Sequence, residues 1–244
     1  MAESKTNNLT RSATYELRQK IIHGGLPGGT RLFEVALSEE LQISRTPVRE
    51  AMSRLAEEGL LERAPGGGFQ VRSFTFRDVV DAIELRGVLE GTAARLAAEK
   101  GVSGDKLQGI NDILDSLDGC FQGFDAPTDF DSYSELNAAF HSRLTELCES
   151  PVILRELERV KSLPFASPSA FVLGQVETAI NHRSLIVAQA QHRALFQAVV
   201  AREGSRAEAI AREHARIARA NLEETFRDGA TGADTMPGLA LIVR

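Results

Sequence analysis

The sequence predicts a mainly α protein in two parts: a short helix-turn-helix segment closed by a β-hairpin, then a C-terminal all-α helical bundle. Three observations predict it. Residues 37–41 and 45–55 are two apolar-periodic segments separated by a tight turn at Gln42 and Ile43. Residues 60–63 and 69–72 flank the flexible tip Pro65-Gly66-Gly67-Gly68, the pattern of a hairpin. From residue 76 onward the chain is rich in Ala, Leu, Glu and Arg, with stops at Gly101, Ser150-Pro151 and Gly204.

In chain order, Leu17, Ile21 and Ile22 mark a first helix over 10–23, which the run Gly24-Gly25-Leu26-Pro27-Gly28-Gly29 ends. Arg31-Leu32-Phe33 reads as a short strand, and helices follow at 34–41 and 45–58. Ser44 suits the N-cap of the second, where its hydroxyl accepts from a first-turn amide. Pro47 is tolerated in that first turn, whose amides have no partner within the helix. Val48, Ala51, Met52 and Leu55 make its buried stripe, and Gly59 suits the left-handed residue that ends it. Further helices are expected at 76–100, 103–119, 127–149, 151–161, 175–202 and 205–227, with a loop at 163–168. The domain reading is 1–72 for the first part, 73–78 for a linker, 79–228 for the helical domain and 229–244 for a Gly-rich, frayed tail.

The 244 residues carry a net charge of −6, unevenly. Residues 1–72 hold 10 basic and 9 acidic side chains, while the rest holds 18 and 25. The acidic excess therefore belongs to the second part, and nucleic-acid binding depends on local phosphate neutralisation rather than on the total. A first part so weakly basic is expected to act as two copies. No run of roughly 18 apolar residues is present, so no membrane span is expected. The polar start, Met1 to Asn8, has no signal-peptide core. Cys120 and Cys148 have no metal-ligand spacing; sparse cysteine points to free thiols and a cytoplasmic protein.

Arg45 and Arg49, one turn apart, share the face opposite the buried stripe. A helix so arranged fits a DNA major groove. The plainer alternative is an ordinary solvated helix, with Glu50 and Arg54 as an ion pair.

In the second part, His141, His192 and His214 all fall on faces that turn inward, and Asn137 precedes His141 by one turn. Three imidazoles and an amide oxygen converging inside a bundle suit a divalent transition metal with positions left for a carboxylate. Each histidine taken alone is equally a hydrogen-bonded core residue. Arg86 lies among apolar neighbours Ile83 and Leu89, where a guanidinium needs a partner. Either Glu90 at i+4 supplies it, or Arg86 anchors an anionic effector through a two-pronged bond to a carboxylate.

The stretch Leu37-Ser38-Glu39-Glu40-Leu41-Gln42-Ile43-Ser44-Arg45-Thr46-Pro47-Val48-Arg49-Glu50-Ala51, with Gly28-Gly29-Thr30-Arg31-Leu32 before it and Leu55-Ala56-Glu57-Glu58-Gly59-Leu60-Leu61 after it, resembles the winged helix-turn-helix of GntR-family regulators. The resemblance implies base reading by Arg45 and Arg49, phosphate contacts from Ser44 and Thr46, and a close approach of the wing backbone to DNA at Gly66 and Gly67. Val35 stands where some members carry arginine, so one contact is missing from the expected set. Asn137-Ala138-Ala139-Phe140-His141, Gln191-His192-Arg193-Ala194-Leu195-Phe196 and Ala211-Arg212-Glu213-His214 resemble the FCD effector domain. That implies a zinc or nickel site at Asn137, His141, His192 and His214, with the neutral amide of Asn137 a weaker donor than a carboxylate. Within that group, residues 81–91, Tyr133 and Pro164-Phe165-Ala166 look closest to vanillate-type repressors.

The expectation is a cytoplasmic, homodimeric, metal-containing repressor of a catabolic operon. It binds double-stranded operator DNA and is released by a small carboxylate effector, an aromatic one if the likeness to vanillate-type repressors extends to the ligand. It is not expected to be an enzyme, since no nucleophile–base pair is evident. A metal-dependent enzyme tethered to DNA and an architectural DNA-binding protein with a structural bundle are the two rivals.

Overall fold

The computed structural model describes residues 2–121, 128–163, 166–170, 179–227, 238 and 241–243. The chain divides into two units, one of Met1–Val79, Ser162–Pro164 and Pro237–Arg244, the other of Val80–Lys161 and Phe165–Met236.

The first unit begins with α1 (Ala2–Ile22), which starts earlier than its apolar periodicity suggests because residues 2–9 contain no glycine or proline to stop it. β1 (Arg31–Leu32), α2 (Glu34–Glu40), α3 (Arg45–Glu57), β2 (Leu61–Arg63) and β3 (Phe69–Val71) follow. Leu17 and Ile21 of α1, Val48, Met52 and Leu55 of α3, and Leu60 and Val71 are fully buried and form the core. Between α2 and α3, Gln42 takes a left-handed φ of 53°, and the Ser38 hydroxyl donates to the Ile43 carbonyl at 2.6 Å. Gly59, at φ 82°, ends α3: its amide reaches Ala56 and the next amide, of Leu60, reaches back to Leu55 at 2.9 Å.

The expected hairpin of β2 and β3 acquires a third strand. The antiparallel sheet runs β1-β3-β2, with Arg31 opposite Gln70 and Arg63 opposite Phe69. A second, two-stranded ladder pairs β4 (Phe74–Thr75) in parallel with β5 (Ile242–Val243). β5 lies in the stretch expected to fray. Leu241 beside it is fully buried, and Ile242 and Val243 are β-branched, which suits a strand.

The second unit is built from α4 (Phe76–Lys100), α5 (Gly104–Gly119), α6 (Phe130–Glu146), α7 (Pro151–Lys161), α8 (Ala179–Val200) and α9 (Gly204–Arg227), with α4 entering it from residue 80. Ile110, Leu114, Tyr133, Phe140, Leu195 and Val199 lie in its core. α4 and α9 approach closely because α4 carries glycine at the crossing: a Cβ at Gly87 would lie 2.7 Å from that of Ala215. Cys120 and Cys148 are buried free thiols. Among the described residues no helix is long and apolar enough to cross a membrane. Of the expected loop at 163–168, residues 164 and 165 lie outside the described residues, as do 175–178 of the expected helix at 175–202.

Candidate metal centre and nucleic-acid face

In the first unit α3 separates its two faces cleanly. Pro47, Val48, Ala51, Met52 and Leu55 are buried, and Ser44, Arg45, Thr46 and Arg49 are exposed. Ser44 has the extended backbone of an N-cap, φ −69° and ψ 161°, but its side chain makes no cap hydrogen bond, contrary to expectation. The hydroxyl is solvent-exposed, so water competes for that bond. Arg49 donates through Nε and Nη2 to the two carboxylate oxygens of Glu34 on α2, both at 2.7 Å. That forked bond, aided by Arg45, holds the Glu34 carboxyl below its ordinary range. The pair is exposed on the arginine side and contributes little to stability. Glu50 accepts from Thr10 of α1 at 2.8 Å, so it serves the α1–α3 contact.

At the wing tip Gly66 and Gly67 have φ of 84° and 96°, the left-handed region that favours glycine. A Cβ on Gly67 would meet nothing within 4 Å, so the tip is open. Sequence reasoning missed Arg31. Pairing of β1 with β3 brings its guanidinium to the Pro65 carbonyl and beside Gly66, adding a cation to the wing tip. Only the strand register reveals this.

In the second unit the three expected histidines come together. His141 of α6, His192 of α8 and His214 of α9 are buried, and their ligand atoms all lie within 4.8 Å of one another. The Nε2 of His214 is 3.0 Å from that of His192 and 3.2 Å from that of His141. Each Nδ1 points the other way, to an acceptor: His141 to Glu90 Oε1 at 3.2 Å, His192 to Gln189 Oε1 at 3.0 Å, and His214 to Gln191 Oε1 at 3.2 Å. The Gln189 amide is oriented by its other end, since its nitrogen donates to Asp118 at 2.6 Å and to the Leu114 carbonyl at 3.3 Å.

The outward acceptors favour one assignment of the ring protons. With Nδ1–H donating outward, three Nε2 lone pairs face one another, which is unfavourable unless a cation lies among them. Burial first, then the neighbouring imidazoles, push the pKa of His192 well below its ordinary value. Burial, then His141, bring His214 down to about 3. Neutral imidazoles are the ligand form. Nitrogens about 2.0–2.1 Å from one ion, at tetrahedral or octahedral angles, lie about 2.8–3.4 Å apart, which matches the two contacts that His214 makes. The donor set therefore fits a divalent metal. Glu90 was not singled out as part of the site: burial alone raises its pKa, but His141 and Arg86 bring it down to about 2, so it is the anion that balances the pole.

Residues 9–71 match the bacterial regulatory proteins of the gntR family, and residues 81–216 match the FCD domain. The chain is a GntR-family protein with an FCD domain. It is 31% identical over 132 residues to the Nta operon transcriptional regulator of Aminobacter aminovorans, covering 54% of this chain and 60% of that one. It is 29% identical over 213 residues to the HTH-type transcriptional regulator LutR of Bacillus subtilis (strain 168), covering 80% and 92%. The first of these matches thus spans less than two thirds of the relative's length. Both relatives are transcriptional regulators. The fold is also that of E. coli McbR/YncC, with a TM-score of 0.64 at 23% identity, over 89% of this chain and 98% of that one.

Within the FCD domain, Asn137 is buried one turn before His141, and its amide nitrogen donates to Ser169 at 3.1 Å, so the amide oxygen is the atom that could serve a metal. Arg86 is 2% exposed. Its Nη1 donates to the Ala166 carbonyl at 3.1 Å, its Nε stands 3.8 Å from Glu90, and that Nε has no hydrogen-bond partner among the described residues. The ion pair with Glu90 is therefore loose. Arg86, Asn137 and His214 line one cavity of ≈ 40 Å³. His182 is half-buried, with its Nδ1 2.6 Å from the Thr128 hydroxyl.

Proposed function

We propose that this GntR-family protein is a homodimeric, metal-containing repressor of a catabolic operon, acting in the cytoplasm and released from operator DNA by a small carboxylate. The observation that carries the sensing half is the set of three Nε2 atoms facing one point, each backed at Nδ1 by a fixed acceptor. Zinc or nickel held by His141, His192 and His214, with Asn137 beside them, supplies open positions for a carboxylate. Arg86, whose buried Nε has no hydrogen-bond partner among the described residues, lines the same cavity and holds the second carboxylate oxygen. An aromatic acid is the narrower reading, from the resemblance of residues 81–91 and Tyr133 to vanillate-type repressors.

The exposed face of α3 supports the DNA half. Arg45 and Arg49 read bases, Ser44 and Thr46 hold phosphate, and the open tip at Gly66 and Gly67 meets the backbone. Each protomer takes one half-site of a near-palindrome. The acid lowers operator affinity through unequal affinity for two arrangements of the dimer.

The test is fluorescence anisotropy with duplexes selected from a random pool, using zinc-loaded full-length protein. Selection yields an inverted repeat, and a carboxylate from a panel of small acids weakens binding at least tenfold. A chain that selects no duplex, or one indifferent to every acid and to metal removal, overturns the reading.

A further inference from the structure

The cavity beside the imidazoles has a second polar end. α6, α8 and α9 each place a histidine at the metal pole, and each places a polar cavity-lining residue about two turns away: Tyr133 for His141, Ser184 for His192 and Asn221 for His214. These separations are eight, eight and seven residues, or about 10–12 Å along the helix axes. α6 and α8 run toward the metal pole and α9 runs away from it, so all three polar residues gather at the opposite end. Between the two ends Leu185, Ala188 and Ile217 make the α8 and α9 sides of the stretch apolar, while Asn137 lines its α6 side.

At that far end the Ser184 hydroxyl donates to the Asn221 amide oxygen at 3.0 Å. Tyr133 differs. It is 1% exposed, and its hydroxyl has no hydrogen-bond partner among the described residues. Its ring is held edge-on by Phe121, with centroids 5.5 Å apart. A buried, unsatisfied hydroxyl is destabilising, and a ligand that satisfies it recovers that loss.

Resting on the reading of this cavity as the effector site, the geometry points to Tyr133 as a specificity residue. The effector has two polar ends: a carboxylate at the imidazole and Arg86 end, and a hydroxyl or similar oxygen that meets Tyr133, with an apolar body between them. Tyr133 donates to that oxygen, so an acid lacking it leaves the phenol unpaired.

The experiment is calorimetric titration of zinc-loaded, full-length wild type and Tyr133→Phe with two probe pairs, benzoate against 4-hydroxybenzoate and hexanoate against 6-hydroxyhexanoate. In wild type the hydroxy acid of at least one pair binds about tenfold or more tightly than its parent. In Tyr133→Phe that preference disappears while the parent acid keeps its Kd, and the ligand-free Tm does not fall, because only an unpartnered oxygen is lost. Equal affinities within both pairs in wild type, or equal weakening of parent and hydroxy acid in the variant, overturn the assignment but leave the carboxylate site standing. If neither pair binds while zinc still raises Tm, the effector reading falls and takes this one with it.

Discussion

The Nε2 atoms of His192 and His214 lie 3.0 Å apart, and the Nδ1 of each ring is turned to the amide oxygen of a glutamine, Gln189 or Gln191. Those glutamines favour the tautomer in which both rings could serve as ligands. Replacing either with leucine leaves the three imidazoles in place but removes the acceptor that orients one of them. Zinc affinity, measured by chelator competition, is expected to fall by about 10–100-fold in each variant. His192→Ala, which removes one of the proposed ligands, is expected to fall further. Wild-type affinity in both glutamine variants shows that the outer acceptors do not orient the site.

A chelator acts on stability through the same pole. Ligand at a hundred times its Kd adds about 2.7 kcal/mol to a folded state that alone binds it. Zinc at that excess is therefore expected to raise the Tm of metal-stripped protein, and His214→Ala is expected to show no such rise. An equal rise in both proteins places the zinc elsewhere.

Arg49 is held by Glu34 in a forked bond, so its guanidinium is already ordered on the exposed face of α3. Arg49→Ala is expected to weaken the selected operator by about tenfold or more and to relax preference at one base pair of each half-site. Ser44→Ala and Thr46→Ala, at the proposed phosphate contacts, are expected to weaken all duplexes alike. Anisotropy against the operator and a scrambled duplex separates the two patterns. An Arg49→Ala protein with unchanged operator affinity contradicts base reading.

The helical frame was legible in the sequence because glycine and proline punctuate it. α4 and α7 occupy the spans their periodicity marks, 76–100 and 151–161, and Gly59 caps α3. The histidines were legible as inward-facing residues. Their partners were less so: Gln189 lies one turn from His192, but Glu90 meets His141 and Gln191 meets His214 only through helix packing. Arg31 at the wing tip depends on a strand register, and the β4–β5 ladder joins residues far apart in the chain. Such contacts leave no periodic trace along one segment.

Outside the site, Glu149 takes a left-handed φ of 52° between α6 and α7 and accepts from Lys100 and, at 2.8 Å, from Lys106. The Lys100 hydrogen bond, then that of Lys106, lower its pKa to about 2. A carboxylate lowered on folding stabilises the fold above its ordinary value, near 4.5, and loses that contribution as pH falls through about 2. Thermal melts of wild type and Glu149→Gln are expected to differ at pH 6 and to converge by pH 2. Because the group is exposed, 0.5 M salt narrows the pH 6 gap. A gap independent of pH assigns the effect to the loop rather than to the charge.

Two helical glycines give opposite expectations for one substitution. Alanine in a helix interior is ordinarily better than glycine by about 0.8–1.0 kcal/mol. Gly109 of α5 has nothing within 4 Å of an added Cβ, so Gly109→Ala is expected to stabilise the fold by up to that amount. At Gly87 the added methyl stands 2.7 Å from the Ala215 Cβ, well inside the 3.5–4.0 Å at which carbons pack. Neither atom is the end of a flexible side chain, so α4 and α9 must part. Overpacking of that kind costs about 1–3 kcal/mol and outweighs the propensity gain. α4 carries Glu90 and α9 carries His214, so the same separation is expected to weaken zinc binding in Gly87→Ala and leave it untouched in Gly109→Ala. Denaturant melts and chelator competition on the two variants decide it: a Gly87→Ala protein as stable and as tight for zinc as wild type means the α4–α9 crossing is not what sets the imidazole pole.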